Sequence, residues 1–293
     1  MEQLLQALII GLSLGATYSI IAMGFVLISK ATGVLNIAQG DLVMFMAYVA
    51  FFFAGTLGLP FWAATLITMA VGLLMGIIIE RLFLRPMVGQ PLLSVVMITF
   101  GLAAILTGLV LLLFGPDERV FPRYLPEQPI VLGPFKLPTD YAFGLVFTLV
   151  LLIILVIYLQ FSKNGLAMRA TAENQQVAQS LGMKVGPITA SAWAISCLTA
   201  AAGGIILGTL TNVNLAIANG GFKVFPAVIV GGLESLPGGV IGGLIVGLVE
   251  SLSGTYIDPF LISFKQIAPF VVLMIIMMVR PYGLFGLKRI ERI

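Results

Sequence analysis

What most constrains this chain is the recurrence of long apolar runs from one end to the other. They fall at about 4–29, 41–57, 60–84, 92–114, 141–160, 188–210 and 262–279. Crossing the hydrocarbon core of a bilayer takes about 20 apolar residues of helix. Inside that core a backbone must satisfy its own hydrogen bonds, which leaves only helices or closed barrels. The alternating segments of a barrel are absent. Only 9% of the residues are charged and 60% are hydrophobic, too little charge to coat a soluble domain. The expectation is an all-α integral membrane protein. It is a single polytopic helix bundle over 1–293, with about 8–9 transmembrane segments, some of them discontinuous. The first run starts behind Glu2 with no basic leader and continues almost to Lys30, so it is predicted to be a span and not a cleaved signal peptide.

Region 222–252 is apolar but is interrupted by "GGLESLPGG", Gly231 to Gly239. A helix interior loses about 3 kcal/mol to Pro and about 1 kcal/mol to each Gly. Two short helices are therefore predicted, 222–232 and 238–252. Charge supports this count. With nine crossings and the N-terminus outside, Lys30, Arg81, Arg85, Lys163, Arg169, Lys184, Arg280, Lys288, Arg289 and Arg292 fall on the cytoplasmic side, where Lys and Arg concentrate. Arg119, Arg123, Lys136, Lys223 and Lys265 fall outside. A single crossing at 222–252 would put the basic C-terminus opposite Arg169. Segment 115–140 carries six prolines, Pro116 to Pro138, and is expected to be an external loop. No internal repeat is visible.

Several function classes lose support. There is no His and one cysteine, Cys197, so the commonest general base, an intrachain disulfide and a cysteine-rich metal site are all missing. No GxxxxGK[ST] is present to bind nucleotide. No catalytic residue, metal or cofactor of its own is expected. The net charge of +3 sits at membrane boundaries, which points to lipid as a neighbour and not to nucleic acid.

Gly-x-x-x-Gly pairs at Gly11/Gly15, Gly72/Gly76, Gly204/Gly208, Gly239/Gly243 and Gly243/Gly247 read as sites of close helix packing. "GVLNIAQGD", Gly33 to Asp41, sets Asn36, Gln39 and Asp41 between two spans. Such groups either border a cavity or cap the next helix, and the pattern leaves both open. Under the first reading Asn36, Gln39 and Gly40 border a solute path. The Gly231–Gly239 break is a second interruption in the other half, and paired interruptions point to a central permeation site. Glu234 within it reads as water-facing. Glu80 is expected to pair with adjacent Arg81 and Glu250 to sit at the outer interface, so no ion-coupling carboxylate stands out.

One stretch is unlike the rest: "RATAENQQVAQSLGMKVG", Arg169 to Gly186. Thr171 is predicted to cap a helix that ends near Leu181, with Gly182 as its left-handed stop. Ala170, Val177, Ala178 and Leu181 share one face, and Glu173, Gln175, Gln176 and Gln179 the other. Charge places it on the cytoplasmic side. An Ala-rich face binds lipid poorly but fits a groove on another protein.

The stretches "GLAMRATAENQQVAQSLGMKVG", "KATGVLNIAQGDLVMFMAYVAF", "VIVGGLESLPGGVIGGLIVGLVES" and "RPYGLFG" together resemble the branched-chain amino-acid permease family of ATP-binding-cassette importers, LivH type. The resemblance implies a type II-like importer permease in the bacterial inner (cytoplasmic) membrane. It implies a second permease subunit, of the LivM type or a homologous copy, and two cytoplasmic ATPase subunits that bind the ATP. It also implies a periplasmic substrate-binding protein delivering leucine, isoleucine or valine. Segment 163–186 becomes the coupling loop, with Arg169, Ala170, Glu173, Val177, Ala178 and Gly182 at the ATPase. Relatives on this scaffold carry urea, short amides or other amino acids, since fold does not fix cargo. From another class, an ATP-independent channel or an ion-coupled carrier would need no polar docking helix.

Overall fold

The computed structural model describes residues 2–87, 89–126, 128–132, 135–173 and 175–286. Pro134, Lys288, Arg289, Arg292 and the side chains of Lys136, Gln175 and Gln176 lie outside what is described. Among the described residues the order is α1 (Glu2–Thr32), α2 (Gln39–Phe51), α3 (Phe61–Ile79), α4 (Leu92–Phe114), β1 (Ile130–Leu132) and β2 (Phe135–Leu137). It continues with α5 (Thr139–Phe161), α6 (Lys163–Glu173), α7 (Gln175–Ser180), α8 (Val185–Thr211), α9 (Ile217–Phe222), α10 (Val224–Gly231), α11 (Leu236–Tyr256) and α12 (Phe264–Val279). π-helical turns extend α2 over Phe52–Thr56 and α3 over Glu80–Leu84. Seven of these helices are long and apolar enough to cross a membrane, while Ile217–Gly231 and α12 are shorter apolar helices.

Two expectations are corrected in detail. The helix before the Gly231–Gly239 break starts at Ile217, not 222, and divides at Lys223 into α9 and α10. The Pro-rich loop is not wholly irregular, because β1 and β2 pair antiparallel with Ile130 opposite Leu137. The break itself is where the sequence puts it. Gly232 has φ +107°, and Ser235 restarts the chain as α11 by accepting a hydrogen bond from Gly238 N at 3.0 Å.

Polarity decides which helices are central. α1 and α8 are the most enclosed spans, whereas α4 and α5, the most apolar, are the least buried. Lipid tails are as apolar as leucine, so the most apolar helices gain nothing by leaving them. Polar groups do gain: Ser13, Thr17 and Ser19 of α1 and Ser196 and Thr199 of α8 are all buried in the bundle. Ser19 Oγ donates to Gly15 O at 2.7 Å and is within 2.6 Å of Val240 O on α11.

The glycine pairs sit at these helix contacts. Gly11 and Gly15 lie against Leu248 and Leu244 of α11, and Gly72 and Gly76 of α3 against Cys197 and Trp193 of α8. Gly204 lies against Val43 of α2, and Gly24 lets Ser196 and Thr199 approach α1. The two halves thereby resemble each other. α1 is followed by a break and α2 and packs along α11; α8 is followed by a break and α9–α10 and packs along α3. This likeness lives in helix order and contact, not in the letters.

Two tethers agree with the nine-crossing count. Arg119 and Val213 exchange backbone hydrogen bonds of 2.8 Å, joining the Pro-rich loop to the end of α8. Leu284 N and Phe285 N donate to Val230 O and Gly231 O at 2.8 and 3.0 Å. The "RPYGLFG" tail thus satisfies the carbonyls at the end of α10, groups that a helix cannot pair by itself.

Candidate functional site

After α1 the chain turns at Gly33, φ +69°, and runs extended into the bundle before α2 begins. Gln39 ends up beside the middle of α8, where Ser196 Oγ donates to its Oε1 at 3.2 Å. Irregular backbone at that depth persists only where protein or a cavity satisfies it. Side chains do so here. Val34 N donates to Thr32 Oγ1 (3.3 Å), Ile37 N to Thr99 Oγ1 (3.3 Å) and Ala38 N to Asn36 Oδ1 (3.2 Å). Asn36 Nδ2 donates to Gln39 Oε1 at 3.0 Å, and Gln39 Nε2 is buried with no partner.

Asn36 thus does not cap α2, whose N-cap is Ala38 with no side-chain cap; its Oδ1 instead closes the turn that leads into the helix. Asn36 and Gln39 are also 1% and 0% exposed, so in this conformation both face protein. Gly40 is a contact point. A Cβ added there would lie 2.5 Å from Ala218 O of α9, and one added to Gly221 would fall on the Cα of Gly40. The break after α1 and the break after α8 thus meet backbone to backbone. Where α1 and α3 end and α8 begins, a pocket of about 220 Å³ is lined by Thr32, Glu80, Arg85, Thr189 and Trp193.

The polar stretch forms a clamp. Its helix starts at Lys163, eight residues before the Thr171 cap expected from sequence. Thr171 lies inside α6 and donates to Ala167 O at 2.9 Å. Packing overrides the local signal: Gly165 is pressed onto the backbone of Leu159, and Met168 enters a cluster with Leu27 and Ala31 of α1, Leu155 and Leu159 of α5, and Ala192 and Ile195 of α8. Leu166, Arg169, Ala170 and Glu173 are exposed on the other side of α6, as are Val177 and Leu181 beyond it. Ala178 departs from the expected docking face, being 2% exposed and turned inward. Gly182 is the left-handed stop, φ +82°, and Met183 N closes the turn on Ala178 O at 3.1 Å.

A family model described as the permease component of a branched-chain amino acid transport system matches residues 7–279. The chain belongs to this permease family. LivH, the high-affinity branched-chain amino acid transport system permease protein of Salmonella typhimurium, is 30% identical over 99% of this chain and 97% of its own. LivH of Escherichia coli (strain K12) is 29% identical with the same coverage. BraD of Pseudomonas aeruginosa, a permease protein of the same description, is 30% identical over 99% and 98%. Among solved structures, a chain of PsaBC from Streptococcus pneumoniae in complex with Fab superposes with a TM-score of 0.51 at 12% identity, covering 97% of this chain and 94% of that one. At that identity the likeness is one of fold. It supports the expected polytopic all-helical bundle, and membership makes the chain a multi-pass membrane transport protein.

Two charged sites in this permease differ from their expected form. Glu80 does not pair with Arg81. The π-helical turn brings residues five apart together, so Arg85 Nη2 meets Glu80 Oε2 at 3.0 Å, and Thr189 Oγ1 donates to Glu80 Oε1 at 3.0 Å. Glu250 does not stand alone: it is 9% exposed and its partner is Lys223. They form a largely enclosed ion pair at the α9–α10 division, with side chains of Lys223 and Glu250 13% and 11% exposed, and Tyr18 Oη donates to Glu250 Oε2 at 2.8 Å. Neither partner is near the other in sequence, so only the apolar surroundings of Glu250 could have flagged it.

Proposed function

We propose that this chain is a LivH-type permease subunit of an ATP-binding-cassette importer in the bacterial inner membrane. Its cargo is leucine, isoleucine or valine, delivered by a periplasmic binding protein. The observation that carries the reading is the α6–α7 clamp, whose outer side is solvent-exposed while Met168 grips α1, α5 and α8 together. ATP is hydrolysed on two partner subunits, which hold Arg169, Ala170, Glu173, Val177 and Gly182 and displace α6.

Because α1 and α8 are the helices that end in the two breaks, moving them parts the Gly40–Gly221 seam. Asn36 and the spare Gln39 Nε2 then become available to a zwitterion, and the surrounding apolar helices accept an aliphatic tail. A LivM-type subunit, or a second copy, completes the path. A ligand shifts such an equilibrium only by its difference in affinity for the two states, so the loaded binding protein and ATP supply the direction.

The test is reconstitution with the partner subunits in vesicles and uptake of labelled leucine. Uptake is expected to require ATP and loaded binding protein, and to be competed by isoleucine and valine but not by urea. Uptake that proceeds without ATPase subunits would return the chain to the channel or carrier class.

A further inference from the structure

α3 and α5 meet at their outer ends, where Phe143 packs on Phe61 and Trp62 with ring centroids 5.4 and 6.0 Å apart. Further along, residues of both helices line a groove over α8. Its deeper part, about 290 Å³, is lined by Ile20, Met69, Leu151, Ile154 and Leu198. Its inner part, about 420 Å³, carries Arg81 and Arg85, and the two parts share Leu73, Tyr158 and Ile195. The groove is thus continuous, apolar within and cationic at its cytoplasmic mouth. Along α3 it runs from Met69 to Arg81, about 18 Å of helix at 1.5 Å per residue. That matches one leaflet, half of about 30 Å of hydrocarbon.

We propose that this groove binds one phospholipid of the cytoplasmic leaflet with an anionic headgroup. The acyl chain lies between α3 and α5, and the phosphate meets Arg81. Arg85 is held by Glu80, whereas Arg81 is exposed and makes no ion pair among the described residues. An exposed guanidinium at an apolar groove mouth complements an anionic headgroup and has nothing to offer an apolar helix. The occupant touches the coupling apparatus, because Tyr158 Oη accepts from Asn164 Nδ2 of α6 at 3.3 Å and Glu80 is bonded to α8 through Thr189. The site rests on the inside placement of Arg81 and Arg85 and is independent of which cargo is carried.

Native mass spectrometry of the full-length permease, purified with its partner subunits and titrated with phosphatidylglycerol or phosphatidylcholine of identical acyl chains, tests the proposal. The wild type should retain phosphatidylglycerol preferentially. Arg81→Ala should weaken its retention about fivefold, and Arg81→Lys should restore it. Leu73→Trp, filling the waist of the groove at a half-exposed position, should reduce both lipids. Equal retention of the two lipids by the wild type, an unchanged preference in Arg81→Ala, or no retained lipid because a partner helix covers the groove would each overturn it.

Discussion

Adding one methyl group at the seam is a sharp test of the way the two interrupted halves meet. In Gly40→Ala the new carbon would lie 2.5 Å from Ala218 O and 3.2 Å from Phe222 N, whereas ordinary contact begins at 3.4 Å. Both obstructions are backbone, so α2 and α9 must part by most of the 0.9 Å shortfall. Overpacking of this kind costs about 1–3 kcal/mol. Borne only by the closed state, that cost shifts the balance of open and closed conformations about 5- to 150-fold. Gly221→Ala should act alike, because its methyl group points at Gly40 itself. The matched controls are Gly101→Ala and Gly108→Ala on α4, where an added Cβ meets nothing within 4 Å and helix propensity improves by up to about 1 kcal/mol. The assay is ATP-dependent leucine uptake in reconstituted vesicles, with permease content and ATPase co-purification measured alongside. Uptake should fall at least about fivefold in the seam variants and be retained in the α4 variants. Wild-type uptake by both Gly40→Ala and Gly221→Ala would refute the idea that backbone contact at this seam controls the path.

The enclosed ion pair sets another test: Glu250→Ala should lower stability by up to about 3 kcal/mol by stranding the partly buried Lys223, seen as reduced thermal stability, and Lys223→Met/Glu250→Leu should recover most of it. Asn36→Leu removes both the Ala38 N–H acceptor and the Gln39 donor, and should cut uptake while assembly and basal ATP hydrolysis persist. Gly182→Val forces a β-branched residue to φ +82°, at a cost of about 1–2 kcal/mol, and should weaken stimulation of ATP hydrolysis by loaded binding protein. Ala178→Trp has a different expected effect, since Ala178 is buried within the chain: limited proteolysis at the α6–α7 segment should accelerate.

Features governed by apolar length or local turn chemistry were legible in the sequence. The run at 92–114 is α4 to the residue, and Gly182 is the helix stop its spacing announced. The glycine pairs were readable as contacts, although not which helix each would meet. Features governed by packing across the bundle were not legible. "KNGLA" looks like a turn because of its Asn and Gly, yet Gly165 is what lets α6 press on Leu159. Glu80 was matched to its neighbour Arg81 because local reading assumes α-helical spacing, and a π turn changes the partner. Tyr18 of α1, Lys223 of the α9–α10 division and Glu250 of α11 come together from three separated parts of the chain. At the candidate site, the polar character of Asn36 and Gln39 was visible, but their closure against Ser196 depends on a helix far along the chain.

The central claim is that ATP-driven motion enters this permease through the exposed side of α6–α7, and residue-resolved cross-linking tests it most directly. The sole native cysteine, Cys197, is buried, so single cysteines placed at Val177 and at Met168 report on the outer and inner sides of the clamp. In the assembled transporter, a short bifunctional reagent should join Val177→Cys to an ATPase subunit, with a yield that changes on adding ATP. Met168→Cys, 2% exposed in the native side chain, should stay unlinked. Absence of any Val177→Cys adduct in a complex that still hydrolyses ATP and takes up leucine would contradict the claim.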